Sequence, residues 1–298
     1  MRKVYLIICI VFIINSAYAL KPEKEYRSKQ EWFNVNYEEI TFITKDGYKL
    51  KGWFYPAQDY SKIKMPADTT LQKKEYQIID NAQKPTIIIC DGDAQNMSGL
   101  IWYSIQLIVR GFNVFTFDWR GFGQSDYWPI EQDYLSYSEF LIDYDAAVEY
   151  VKNRKEVNPS KIGVFGFSTG AYLSFAISVK RNDISAFAGR ALITSFEDVL
   201  PILKKIKPDS NLIPPPKYPS EFEPINAAEN IKIPVFLIVG EKDNRTPVWM
   251  SEKIKSKIKS PCELWVVPNA GHGGTNAPEY VSSEEFINRL SSFYNQYF

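Results

Sequence analysis

The chain has 298 residues, 45% hydrophobic and 15% aromatic, with 35 basic and 35 acidic side chains. That apolar content excludes a disordered chain and suffices for one large domain or two small ones. Zero net charge without a basic block argues against nucleic acid as a partner. Three cysteines and a single histidine, with Cys9 in the amino-terminal apolar run and Cys90 far from Cys262, exclude a Cys/His zinc site. No metal and no cofactor is implied.

The amino terminus reads as an export leader. Arg2 and Lys3 precede an unbroken apolar run, Val4 to Ile14, and Asn15-Ser16-Ala17-Tyr18-Ala19 supplies an A-x-A ending. The run is too short for a comfortable membrane span, which takes about 20 apolar residues, and an uncleaved anchor is the alternative. Ile8 stands before Cys9 where a lipoprotein signal needs a small residue. The expectation is a signal peptide over residues 1–19, cut after Ala19, and a secreted or periplasmic chain beginning at Leu20 with no remaining membrane span.

The next pattern is an alternating one. Glu38–Thr44 and Lys49–Tyr55 flank Lys45-Asp46-Gly47-Tyr48, which predicts an antiparallel hairpin at a sheet edge. Six apolar, β-branched or aromatic runs follow: Thr86–Cys90, Asn113–Phe117, Lys161–Phe167, Ala191–Thr194, Val235–Val239 and Glu263–Val267. Continuous hydrophobicity of this kind is what strands buried on both faces require. Helical stretches are expected near 98–110, 136–156, 169–181, 247–259 and 283–297. The alternation predicts an α/β fold with a mostly parallel eight-stranded sheet and helices on both faces, in one domain over residues 20–298. Two segments break the rhythm. Pro56–Pro85 reads as a long surface loop, and Phe196–Pro234, with Pro214-Pro215-Pro216, as a short loop-rich cap after the sixth strand. Cys90 ends one strand and Cys262 begins another, so the expectation is opposite sheet edges and two buried free thiols.

Gly166-Phe167-Ser168-Thr169-Gly170 fits G-x-S-x-G between a strand and a helix. The small flanking residues allow a sharp turn that holds the serine Oγ out at the sheet edge. A serine hydroxyl needs a base to take its proton. The one histidine, His272, follows the last strand in Asn269-Ala270-Gly271-His272-Gly273-Gly274. The orienting carboxylate is expected to be Asp243, in Gly240-Glu241-Lys242-Asp243 after the seventh strand, with Glu241 and Asp198 as rivals. Two oxyanion donors are expected. One is the amide of Thr169, and the other that of Asp93 or Ala94 in Asp91-Gly92-Asp93-Ala94-Gln95-Asn96.

Together with Asp118-Trp119-Arg120-Gly121-Phe122-Gly123-Gln124-Ser125, these motifs resemble the α/β-hydrolase superfamily, from about Glu38 to the carboxyl end. The branch they most resemble holds monoacylglycerol-lipase-like esterases and serine-aminopeptidase-like hydrolases. The resemblance implies a D-x-R-G-x-G-x-S loop that is mainly structural. That loop half-matches a dinucleotide fingerprint, but Asp126 stands where the third glycine belongs. One departure is Asp91-Gly92-Asp93 where the superfamily usually has His-Gly. Two carboxylates beside a developing oxyanion would repel it if they pointed inward, or would attract a cationic substrate group. The function implied is an exported serine hydrolase acting on a small-molecule acyl substrate, an ester, thioester or amide, through an acyl-enzyme. A binding protein with an unused triad is the alternative. Serine at the elbow argues against dehalogenase or epoxide-hydrolase chemistry, which needs a carboxylate nucleophile. Leu200, Ile202, Leu203, Leu212 and Ile213 either line part of an acyl pocket, which would favour small or medium acyl groups, or simply pack the segment onto the helices of the sheet.

Overall fold

Asn113–Phe117 is buried at all five positions, and Val235–Gly240 at all six. Such strands have no solvent side and belong in the middle of a layered structure. The computed structural model describes residues 19–60 and 76–298. Apart from Ala19, the expected leader lies outside the described residues. Eight strands form one sheet: β1 (Glu38–Ile43), β2 (Lys49–Tyr55), β3 (Lys84–Cys90), β4 (Asn113–Phe117), β5 (Val157–Phe167), β6 (Ala186–Arg190), β7 (Val235–Gly240) and β8 (Cys262–Val267). Their spatial order is β8-β7-β6-β5-β3-β4-β2-β1. The β1–β2 hairpin runs antiparallel on the edge, β2 is antiparallel to β4, and every other pair is parallel.

The helices are α1 (Ile101–Ile108), α2 (Phe140–Lys152), α3 (Thr169–Lys180), α4 (Phe196–Ile206), α5 (Pro224–Ala227), α6 (Val248–Lys255), α7 (Pro278–Val281) and α8 (Ser283–Tyr297). Neighbouring strand residues point to opposite faces, and each face has its own helices. Ile88 packs with Tyr144 and Val148 of α2 and with Leu173 of α3. Ile87 and Ile89 pack with Leu107 of α1 and Phe293 of α8. This is the α/β-hydrolase fold expected from the sequence. The D-x-R-G-x-G-x-S segment opens no helix, since the next one begins at Phe140. Its Arg120 is fully buried, donating to Asp143 at 2.8 Å and to Asp46 at 2.7 Å.

Four expectations need correction. The sixth strand is Ala186–Arg190 rather than Ala191–Thr194. Gly189 in it pairs with Gly166 and faces Ala171 of α3, while Ala186 and Ala188 share the other face with Phe286 and Phe293 of α8; small residues on both faces hide the strand from a search for bulky apolar runs. Phe196–Pro234 is not mainly loop, because it opens with the eleven-residue α4. Pro56–Pro85 contains a small antiparallel pair, Gln58–Tyr60 with Tyr76–Ile78, and β3 already starts at Lys84; residues 61–75 lie outside the described ones. Cys90 sits on central β3 rather than at an edge, and Cys262 is only half-buried, though both thiols are free.

Candidate active site

Ser168 lies between β5 and α3 with φ 52° and ψ −119°, a left-handed backbone that a residue with a side chain avoids. The turn closes because its glycines have no Cβ. A Cβ on Gly166 would stand 2.6 Å from the Cα of Ala171, and one on Gly170 would stand 2.0 Å from the carbonyl oxygen of Asp91. Both distances are well inside van der Waals contact, so larger residues are shut out. The Ser168 amide donates to the Arg190 carbonyl of β6 at 2.9 Å.

Three loops at the carboxyl ends of β5, β7 and β8 bring the expected side chains together. His272 Nε2 is 3.2 Å from Ser168 Oγ, and His272 Nδ1 is 2.9 Å from Asp243 Oδ2. Asp243 is almost fully buried. Its Oδ1 accepts the amides of Arg245 and Thr246, each at 2.9 Å, and its Oδ2 accepts the Thr246 hydroxyl at 2.8 Å. Burial alone would raise the pKa of this carboxyl. The hydrogen bonds and charge of His272, with those from Thr246, outweigh it and hold the pKa below the usual carboxylate range. A carboxylate fixed in this way holds the imidazole with Nδ1 protonated and Nε2 facing the hydroxyl.

The rival carboxylates do other work. Asp198 pairs on the surface with Lys253 at 2.9 Å. Glu241 accepts the Asn269 amide at 2.9 Å, which ties the Asp243 turn to the His272 loop. Asp93 and Thr169 line one cavity with Ser168 and His272, whereas Ala94 lines a neighbouring one with Asp91. Of the two candidates for the second oxyanion amide, Asp93 is the one that lines the Ser168 cavity. That arrangement also leaves one aspartate, not two, on the Ser168 side. Asp91 keeps some exposed surface, yet its carboxyl is enclosed, and burial pushes it up to about 7 against the Gly92 amide and Arg190.

Sequence reasoning missed several residues of this site. The cavity wall also includes Leu135, Ile193, Phe196, Val199, Leu203, Arg245 and Thr246. Of the pocket candidates named from sequence, Leu203 lines it; Leu212 is buried in the core, and Leu200 and Ile202 pack against that core. Ile213 accepts from and donates to the chain near Tyr134. The helix bearing Phe196, Val199 and Leu203 had a signal: Ser195 caps it, accepting from the Asp198 amide, and the apolar residues recur at spacings of three and four. Pro201, inside the helix, masked that pattern. A second element left no periodic signal at all. The segment after Ala19 straps the loop of Asp91–Asn96, with Lys21 N–H donating to Asp93 O at 2.8 Å and Glu23 N–H to Gln95 O at 3.2 Å. The cavity is small, about 30 Å³ measured as space for the centre of a water, room for roughly one or two waters. A far larger open groove, about 920 Å³, lies between α2 and β1 and contains none of these residues.

The sheet order, the strained serine turn and the Asp–His–Ser chain define an α/β-hydrolase. The profile of the prolyl oligopeptidase family matches residues 101–298, and the chain belongs to that family of hydrolases. The Escherichia coli O157:H7 protein YfhR is 30% identical over 261 residues, covering 87% of this chain and 82% of its own. Among solved structures, the Pyrococcus furiosus esterase Pf2001 superposes with a TM-score of 0.71 at 22% identity, over 93% of this chain and 99% of that one. A Mycobacterium tuberculosis puromycin-hydrolyzing peptidase gives 0.66 at 15% identity, over 88% of this chain and 39% of its own. At those identities the two structures speak for the fold alone.

The geometry ranks the acids. Asp243→Asn is expected to lower kcat on the order of 10⁴-fold, as loss of a triad carboxylate does by favouring the wrong tautomer. Asp198→Asn should leave kcat within about twofold, since it disturbs an ion pair with Lys253 away from the cavity lining. Paired steady-state kinetics on one ester decide the matter, and the reverse ranking would move the acid to the segment after β6.

Proposed function

We propose that the chain is a serine hydrolase that cleaves a carboxylic ester of short or medium acyl length through an acyl-enzyme. The observation that carries the reading is the continuous chain from Asp243 through His272 to Ser168 Oγ, with contacts of 2.9 and 3.2 Å. Ser168 Oγ attacks the carbonyl carbon as His272 Nε2 takes its proton. The oxyanion meets the amides of Thr169 and Asp93. His272 then passes the proton to the departing alkoxide, and water repeats the sequence on the acyl-serine.

Pocket chemistry supports an acyl group of modest size. Leu135, Ile193, Phe196, Val199 and Leu203 offer an apolar wall, and the enclosed volume is small. A second reading, aminopeptidase-type amide cleavage, is favoured by one observation: Asp93 contributes to the same wall, where a carboxylate suits a substrate ammonium. Export is also part of the proposal, on the strength of Arg2, Lys3, the Val4–Ile14 run and Ala17-Tyr18-Ala19.

Three outcomes are expected. A fluorophosphonate probe should label the wild-type chain, while Ser168→Ala abolishes labelling and His272→Ala lowers it by orders of magnitude in folded protein. Absence of labelling in the wild type would favour a binding protein with an unused triad. Across p-nitrophenyl esters of increasing length, assayed beside aminoacyl amides, kcat/KM should peak at short or medium chains without a jump at the aggregation point. Preference for aminoacyl amides would favour the second reading, and a sharp rise on aggregation would mean a mobile lipase-type lid. Amino-terminal sequencing of the exported protein should begin at Leu20, and a chain starting at Met1 would overturn cleavage.

A further inference from the structure

The loop that carries His272 has little regular structure. It runs from the end of β8 to α7, closed on itself by Gly271 N–H donating to Asn276 O at 2.7 Å and by Ala277 N–H donating to Gly274 O at 3.1 Å. An imidazole on such a loop must be held to within a few tenths of an ångström of the serine. One side chain holds the loop at its middle and just past its far end. Arg190, the last residue of β6, donates from Nη1 to the His272 carbonyl at 2.8 Å. Its Nη2 pairs with Glu279 Oε1 of α7 at 3.1 Å, just past the loop's far end. The guanidinium carbon sits over Phe167, 3.5 Å from the ring centre, and the Phe167 ring centre is itself 5.2 Å from that of the imidazole. The Arg190 backbone carbonyl meanwhile accepts the Ser168 amide at 2.9 Å.

We propose that Arg190, braced by Glu279, is a positioning residue that locks the His272 loop to the serine turn. This rests on the reading that Ser168 and His272 do the chemistry. A purely structural account is the weaker one. Arg190 and Glu279 are both almost fully buried, and Arg190 Nε has no protein partner. Buried ion pairs are poor contributors to net stability compared with apolar residues of similar volume, the more so when a donor is left unsatisfied. What this pair supplies and an apolar residue would not is a directional hydrogen bond to one particular carbonyl, that of the base. The planar fork of arginine bonds the carbonyl and the carboxylate at once while stacking on an aromatic face, which a lysine ammonium does not do.

The test uses Arg190→Ala, Arg190→Lys and Glu279→Gln in the full-length chain. Each is checked for folding by thermal melting and then assayed by fluorophosphonate labelling rate and by kcat and KM on a short p-nitrophenyl ester. Arg190→Ala should label and turn over about 10- to 100-fold more slowly, the scale expected for a misplacement near 1 Å. KM should stay within about twofold, and millimolar methylguanidine should restore part of kcat. Arg190→Lys and Glu279→Gln should show smaller losses, again in kcat, and they carry the test if the alanine variant does not fold. An unchanged labelling rate in folded Arg190→Ala, or in the other two variants when they stand in for it, would overturn the proposal. So would a loss that falls wholly in KM. Failure of the wild type to label would instead overturn the Ser168 reading.

Discussion

The close approach of two backbones beside Gly170 is the constraint on which the rest of the site depends. The turn after β5 passes so near the Asp91 carbonyl that no side chain fits between them. That contact fixes the start of α3 against the end of β3, and with it the relation between Ser168, the Thr169 amide and the loop that carries Asp93. The left-handed backbone at Ser168 stores strain of about 1–3 kcal/mol. It persists because β5 lies in the middle of the sheet, between β3 and β6, where pairing on both sides leaves the strand no room to relax. A serine on an edge strand could relieve the same strain by fraying.

The other half of the site is held by loop-to-loop hydrogen bonds rather than by regular structure. Lys242 N–H donates to Ala270 O at 2.7 Å, Lys242 Nζ to Asn269 Oδ1 at 2.8 Å, and the Asn269 amide to the Glu241 carboxylate. The turn bearing Asp243 and the loop bearing His272 therefore move as one body. Glu241 contacts this pair of loops through the Asn269 amide. Arg190 adds the missing connection, from this body to the serine turn. In this picture electrostatics and geometry are not separate: the same bonds that hold Asp243 ionised also aim the imidazole.

Much of this was legible in the sequence, for identifiable reasons. Strands buried on both faces announce themselves as apolar runs, and residues at their carboxyl ends, such as Ser168, Asp243 and His272, inherit their positions from the sheet. The signal failed where packing asks for something other than bulk. In β6 the residues are small on both faces, Gly189 toward Ala171 of α3 and Ala186 and Ala188 toward the α8 side, so the louder run Leu192-Ile193, just beyond it, drew the assignment. Helix α4 carries Pro201, and Pro201 argues against a helix unless the capping serine and the spacing of Phe196, Val199 and Leu203 are weighed against it. The strap at Lys21–Pro22 pairs over two residues only, too short for any period. Arg190 was invisible for a different reason. Its role depends on partners 82 and 89 positions away, which no local pattern records.

Ester and amide hydrolysis share their tetrahedral step, so the Asp–His–Ser chain alone does not discriminate between them. Discrimination rests on what contacts the groups on either side of the carbonyl, and here much of that wall belongs to α4. This helix is anchored at its start, where the Phe196 amide donates to Glu223 Oε1 at 3.0 Å. It is weakened in the middle, where Pro201 supplies no backbone donor. Its inner residues, Phe196, Val199 and Leu203, face the cavity. Lys204 and Lys205 close its last turn, where they complement the helix dipole. None of these side chains takes part in holding Asp243 to His272 or His272 to Ser168. On the proposed reading the cavity wall is thus separate from the reacting groups, and replacing α4 residues would change which acyl group fits while leaving the Asp243–His272–Ser168 contacts in place. A fold that keeps one sheet and one set of edge loops can host different functions by such a separation.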